Sequence, residues 1–264
     1  MTVSNLSGIK SLIVDMDGVL WRGSQSIGDL PAIFDKIAAC GLKVVLATNN
    51  ATLSVEQYLA KLSSMGVLLK DWQVITSSTA TALYIKHLHP EGGKVYIIGE
   101  DGLVQTLAKN GFDYAEQDVL AVVAGMDRQL TYEKLKRATL LIRSGILFIG
   151  TNPDRTFPTP EGLVPGAGAI LAAIEVATDQ KPLVIGKPAP AMYQVALDRL
   201  GSLPHETLVV GDRLETDIAG AQILGCKTAL VLSGVTSPEA AYAWSPPPDL
   251  IAPDLDSILK KITG

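Results

Sequence analysis

The stretch "SLIVDMDGVLW", residues 11–21, decides how the chain is read. Four mostly apolar residues run into Asp15, then Met16, then a second carboxylate at Asp17, then Gly18. The run 11–14 reads as a buried strand. Two like charges held this close resist ionising together unless something positive sits beside them. A buried strand that ends on such a pair leads into either a solvated turn or half of a site that expects a cation.

Outward from this stretch, short apolar runs alternate with segments of helical period. "LPAIFDKIAACG" (30–41) reads as a helix stopped by Gly41, and "KVVLAT" (43–48) as the next strand. "SVEQYLAKLSSMG" (54–66) reads as a helix with Ser54 as its N-cap. "VITSS" and "ATALYIKHL" add one more strand–helix step. Toward the other end, "PLVIG" (182–186), "AMYQVALDRLG" (191–201), "TLVVG" (207–211), "TDIAGAQILG" (216–225) and "KTALVL" (227–232) repeat the scheme. Continuous Val/Ile/Leu strands alternating with helices indicate a parallel sheet covered on both faces. The middle carries its own set, with strands at "KVYIIG", "AVVAG" and "ILFIGT" and helices at "DGLVQTLAKNG" and "TYEKLKRATLLIRSG". The expected fold is a doubly wound α/β core built from 1–78 and 183–264, with a smaller inserted α/β domain over 79–182.

Composition narrows the function classes. Apolar residues make up 47% of the 264, enough to bury a sizeable core. Net charge is −5 and no Lys/Arg run stands out, which argues against a nucleic-acid surface. No apolar run approaches the roughly 18 residues that a membrane span needs. The stretch "MTVSNLSGIK" lacks a basic segment followed by an apolar one, so no signal peptide is expected and the cytoplasm is the expected compartment. The two cysteines, Cys40 and Cys226, suit a reducing environment and leave a single pairing between them open.

In open α/β sheets, ligands bind beyond the carboxyl ends of the strands. Asp15 and Asp17 follow the first strand, and Thr48, Asn49 and Asn50 the second; Lys187 follows "PLVIG", and Asp212, with Asp217 shortly after, follows "TLVVG". Acids, a hydroxyl, amides and one lysine thus fall at the same edge. These residue types suit phosphoryl transfer through a covalent intermediate. A carboxylate can attack phosphorus, and a hard cation such as Mg2+ would offset the acids and the phosphate charge. A lysine with hydroxyl or amide donors would cradle the transferring group. A second acid could protonate the leaving oxygen and then activate water.

The four segments "DMDGVLW", "ATNN", "GKP" and "GDRLETD" resemble, in order, the motifs of the haloacid dehalogenase superfamily. The resemblance implies that Asp15 is the nucleophile and Asp17 the general acid/base, which also lends a backbone carbonyl to Mg2+. It implies further that Thr48 and Lys187 bind the phosphoryl group, alongside Asn49 and Asn50. Asp212 would ligate the metal, with Asp217 supporting those ligands or reaching the metal through a water. Asp15 must be ionised to attack, and Mg2+ with Lys187 would hold it so. Spacing points to a branch: 31 positions separate Asp17 from Thr48, and 139 separate Thr48 from Lys187. The insertion after the second motif resembles the type-two cap of NagD-like and p-nitrophenyl phosphatase proteins, as do "GMDRQLTYEKL" (125–135) and "TNPDRTFPTPEGLVPGAGA" (151–169). By this resemblance the cap closes over the site and selects a small phosphorylated metabolite: a sugar phosphate, a nucleotide, phosphoglycolate or pyridoxal phosphate. Loops around 126–130 and 155–163 are its candidate specificity determinants, and a homodimer is left open.

Two rivals compete with hydrolysis. One is a phosphotransferase or mutase that passes the phosphoryl group to an alcohol; the mutases of this superfamily resemble a cap placed between the first two motifs, which the spacing here disfavours. The other is a non-catalytic binding or scaffold protein, which has no need of acids at every motif. His87 and His89 have metal-like spacing but no third ligand nearby in sequence, and read as structural. Gly166 and Gly168 lack the rest of a dinucleotide or P-loop fingerprint and read as packing for a cap helix.

Overall fold

A computed structural model describes residues 6, 8–159 and 161–263, leaving aside the side chains of 158, 159 and 263. Positions 1–5 and 7 of the N-terminal stretch and position 160 of the candidate specificity loop lie outside the described residues. The chain divides into two compact units. The first comprises Met1–Thr48, Tyr58–Ile75 and Met192–Gly264, and the second Asn49–Gln57 and Thr76–Ala191.

The first unit is organised by a six-stranded sheet in the order Leu250–Ala252, Lys227–Val231, Thr207–Gly211, Ser11–Val14, Lys43–Thr48 and Val74–Thr76. The pairings from Leu250–Ala252 through Lys43–Thr48 are all parallel. Ser11–Val14 is central and wholly buried, as its unbroken apolar run requires of a strand covered on both faces. Each strand feeds a helix whose ends follow local chemistry. Asp29 accepts from the Ala32 amide at 3.2 Å to start Leu30–Ala39. Ser54 and Gln57 form a reciprocal capping box before Val55–Ser64, with bonds of 2.7 and 3.4 Å.

The second unit holds a five-stranded parallel sheet in the order Leu183–Val184, Leu147–Gly150, Ala121–Ala124, Gly93–Ile98 and Phe112–Tyr114. Helices Tyr132–Arg143 and Ala167–Thr178 pack Ala138, Ile142, Ile170, Leu171 and Ile174 against Tyr96, Val122 and Phe148. One strand departs from the sequence expectation. The run "PLVIG" forms only the short strand Leu183–Val184, and it pairs with Leu147–Gly150 rather than with the central strands of the first unit. A hairpin, Thr156–Thr159 with Gly162–Pro165, is a further element that periodicity does not announce.

Among the described residues no helix is long and apolar enough to cross a membrane. Cys40 is exposed, Cys226 is buried, and both are free thiols, so the pairing left open by the sequence is not made. Burial pushes the Cys226 thiol up to about 11, which keeps the reactive thiolate out of reach at ordinary pH. At pH 8 the folded protein is therefore expected to take up one equivalent of maleimide, at Cys40, and a second only after denaturation. Rapid labelling of Cys226 in the native state would contradict this burial.

Candidate active site

The acids of the first unit are brought together by neighbouring strands. Asp15 follows Ser11–Val14, and its amide continues the ladder by donating to the Val210 carbonyl at 2.9 Å. Asp212 follows the adjacent strand Thr207–Gly211. Asp217 lies four residues into the turn Leu214–Ile218, a one-turn π-helix, a local irregularity common at functional sites. One carboxylate oxygen from each of Asp15, Asp212 and Asp217 lies within 4.8 Å of the others. Asp212 and Asp217 are almost wholly buried, at 2% and 1% exposure.

Each buried acid is held by the backbone. Asp212 Oδ2 accepts from the Val235 amide at 2.7 Å, and its carbonyl accepts from the Thr236 hydroxyl at 2.5 Å. Asp217 Oδ2 accepts from the Arg213 amide at 3.0 Å, and the Tyr193 hydroxyl donates to the Asp217 carbonyl at 3.0 Å. Space around both side chains is minimal. A methyl group placed on Gly234 would fall 1.9 Å from Asp212 Oδ2, and one on Gly211 would fall 2.2 Å from Asp217 Cγ. The carboxylates therefore have little freedom to leave one another. Three acid oxygens this close, with oxygen as the only donor type, make a set that suits a hard divalent cation.

Asp17 is placed differently. Its carboxylate is not one of the clustered three; Oδ1 accepts from the Trp21 indole Nε1–H at 2.8 Å. Trp21 is fully buried and stacks on Tyr58, with centroids 6.4 Å apart and planes 15° apart. Lys61 Nζ lies 4.0 Å from the centroid of the same indole. The Tyr58 hydroxyl is buried and, among the described residues, meets no partner at hydrogen-bond geometry, although Thr48 lies beside it. Burial first, and then the charges of Asp17 and Asp15, push the Tyr58 phenol well above its ordinary value. Burial likewise holds the Lys61 ammonium below its ordinary value, against the pull of Asp17.

Thr48 ends the strand Lys43–Thr48 and is buried, in the same unit as the acids. Asn49, Asn50 and Lys187 belong to the second unit. There the buried Asn49 donates through Nδ2 to the Lys187 carbonyl at 2.9 Å and to Asp154 Oδ1 at 3.3 Å. Its own carbonyl accepts from Asn152 Nδ2 at 2.7 Å and from the Ser77 hydroxyl at 2.6 Å. Asn50 accepts from the Thr52 amide and hydroxyl at 2.9 and 2.7 Å, closing a local turn. His87 and His89 sit at the end and cap of the helix Ser77–Leu88, and among the described residues neither joins a group able to hold a metal.

Sequence reasoning missed three contributors to the first unit's site: the loop 233–236 that grips Asp212, Trp21 against Asp17, and Tyr58 beside Thr48. The loop follows the carboxyl end of Lys227–Val231, so the strand-end rule could have found it. The two aromatic residues gave no such signal.

Comparison with known proteins follows the same lines. Residues 12–113 match the haloacid dehalogenase-like hydrolase family and residues 184–258 the HAD-hydrolase-like family. The acid sugar phosphatase of Staphylococcus aureus is 37% identical over 254 residues, covering 96% of this chain and 98% of the relative. Three solved structures share the fold over nearly all of this chain. The p-nitrophenyl phosphatase from Archaeoglobus fulgidus superposes with a TM-score of 0.91 at 31% identity, covering 96% of this chain and 99% of that one. NagD from E. coli K-12 gives 0.86 at 33%, covering 94% and 97%. The glycerol phosphate phosphatase from Mycobacterium tuberculosis, solved with magnesium, gives 0.88 at 34%, covering 96% and 77%.

Proposed function

The chain belongs to the haloacid dehalogenase-like hydrolases as a phosphatase of their NagD-like branch, and we propose that it hydrolyses a small phosphate monoester through a phosphoenzyme formed on Asp15. The observation that carries this reading is the cluster of Asp15, Asp212 and Asp217, with one oxygen of each within 4.8 Å of the others. Like charges so close are mutually destabilising without a cation, and the all-oxygen set fits Mg2+. Asp15, Asp212 and Asp217, with the Asp17 carbonyl, would hold the ion. When bound, it would offset the charge of the carboxylates and of the phosphate.

In the first step an Asp15 carboxylate oxygen attacks phosphorus as the ester P–O bond breaks. Asp17 gives its proton to the departing oxygen, which leaves as the alcohol. In the second step Asp17, now a carboxylate, takes a proton from water as the water oxygen attacks the same phosphorus. The bond to Asp15 breaks, the carboxylate is restored and inorganic phosphate leaves. Thr48 and Lys187 bind the transferring phosphoryl group, with Asn49 and Asn50 shaping the turn after Thr48. The core of 1–78 and 183–264 carries the chemistry, and the insertion over 79–182 selects the substrate. A sugar phosphate, nucleoside monophosphate, phosphoglycolate, glycerol phosphate or pyridoxal phosphate fits this chemistry, since each is a small monoester.

The test is phosphate release from a panel of those compounds plus p-nitrophenyl phosphate, with Mg2+ or with EDTA. Release that needs Mg2+ and is restored by adding it back is the expected result, and the best panel member gives the substrate class. Full activity in EDTA would overturn the metal reading. Silence across the panel from folded, magnesium-supplied protein would turn the assignment toward a binding role.

A further inference from the structure

We propose that Trp21 is the positioning residue for Asp17, its indole N–H fixing which carboxyl oxygen of Asp17 serves the leaving group; this rests on the general acid role assigned to Asp17 above. Three observations carry it. First, among the described residues the Trp21 Nε1–H is the one donor seen on the Asp17 carboxylate, at 2.8 Å to Oδ1. Second, the indole has no freedom to wander. It is fully buried, stacked on Tyr58 and covered on a face by Lys61, whose ammonium is itself anchored to the Gly23 carbonyl at 3.0 Å. Third, the backbone between the two residues is a closed turn. The Gly18 amide donates to the Trp21 carbonyl at 2.8 Å, and Asp17 bridges Trp21 along the chain.

The chemistry of the donor explains why an indole suits this place. Its N–H donates and cannot accept, so the Asp17 oxygen that it occupies must act as an acceptor. With Oδ1 taken up by the indole, Oδ2 is the oxygen placed to serve the leaving group. The bond fixes the rotamer of the Asp17 side chain through a neutral donor. General acid catalysis depends on such alignment, because the proton must lie within hydrogen-bond reach of the oxygen that departs.

The experiment compares Trp21→Phe with wild type on two substrates, reading kcat/KM, which reports through departure of the first leaving group. Glycerol phosphate expels a poorly stabilised alkoxide and needs the proton, whereas p-nitrophenolate leaves with little help. The expected result is that Trp21→Phe loses about 10-fold or more additional kcat/KM on glycerol phosphate relative to p-nitrophenyl phosphate, a fraction of the roughly 10²–10⁴ that a general acid supplies. An equal fall on both substrates, or none on either, would overturn the proposal. Asp17→Asn, run on the same pair, separates the two levels. If it shows no selective loss on the alkyl ester, the general acid reading fails and the proposal fails with it. If Asp17→Asn is selective and Trp21→Phe is not, only the positioning role falls. Should Trp21→Phe not fold, a benzothienyl analogue at position 21, with sulfur in place of N–H, deletes the donor while keeping the bicyclic ring, and the same comparison decides.

Discussion

Asp15→Asn is expected to reduce turnover by at least about 10⁴-fold, the scale on which removal of a nucleophile acts, while leaving the fold intact. The amide is nearly isosteric with the carboxylate, and the Asp15 backbone bond to Val210 does not involve the side chain. What is lost is an anionic oxygen able to bond to phosphorus. The variant should also be more stable than wild type when metal is withheld. Three carboxylate oxygens within 4.8 Å repel one another, and removing one charge relieves part of that repulsion. A gain of about 1–2 kcal/mol, or a few degrees in Tm for a chain of this size, is the expected scale. Adding Mg2+ should raise the Tm of wild type more than that of the variant, because the variant has lost one ligand. Borohydride trapping during turnover should mark Asp15 in wild type only. Near-normal phosphate release from Asp15→Asn would sink the phosphoenzyme, and an unchanged metal-free Tm would show that the cluster is not strained by charge.

The sequence exposes those parts of the fold that depend on local periodicity and strand ends. Ser11–Val14, Lys43–Thr48 and Thr207–Gly211 are continuous apolar runs, and a run of that kind reads as a doubly covered strand wherever it lies. Asp15 and Asp212 are legible for the same reason, since each is the first residue past such a run. Periodicity cannot say which sheet a strand joins. "PLVIG" has the pattern of a central strand, yet Leu183–Val184 pairs with Leu147–Gly150, because pairing is a tertiary choice. The hairpin Thr156–Thr159 with Gly162–Pro165 is hidden by its prolines, which speak against a strand interior but are tolerated in a two-stranded ribbon. Trp21 was hidden by its company. Two apolar residues precede it and nothing in its spacing marks a polar role; only the folded structure reveals that its N–H faces Asp17 rather than a backbone carbonyl. Asp217 shows a third kind of limit. Its place beside Asp15 depends on the π-turn Leu214–Ile218, a backbone departure that no residue type specifies alone.

Gly211→Ala is expected to cost about 1–3 kcal/mol of stability, the usual range for overpacking, and to weaken Mg2+ binding by about 10–100-fold, as disruption around a metal ligand typically does. The added methyl would lie 2.2 Å from Asp217 Cγ and 2.3 Å from its Cβ. Gly211 is paired in register with Leu230 at the end of a central strand, so its backbone has little room to retreat. Asp217 must move instead, against the bond of 3.0 Å that holds its carboxylate to the Arg213 amide. Such movement disturbs the arrangement in which its oxygen lies within 4.8 Å of those of Asp15 and Asp212. Gly225→Ala provides the control. Its φ of +75° strains an alanine, but nothing lies within 4 Å of the added carbon. That variant should lose about 1 kcal/mol from the left-handed backbone alone and titrate with Mg2+ like wild type. Calorimetric Mg2+ titration alongside thermal melts separates the two effects, since it reads metal binding without turnover. If Gly211→Ala bound Mg2+ as wild type does, Asp217 would be a packing residue whose nearness to the other acids is incidental. If it lost metal affinity while Gly225→Ala did not, the strand-end glycine would be what keeps the third carboxylate in the site.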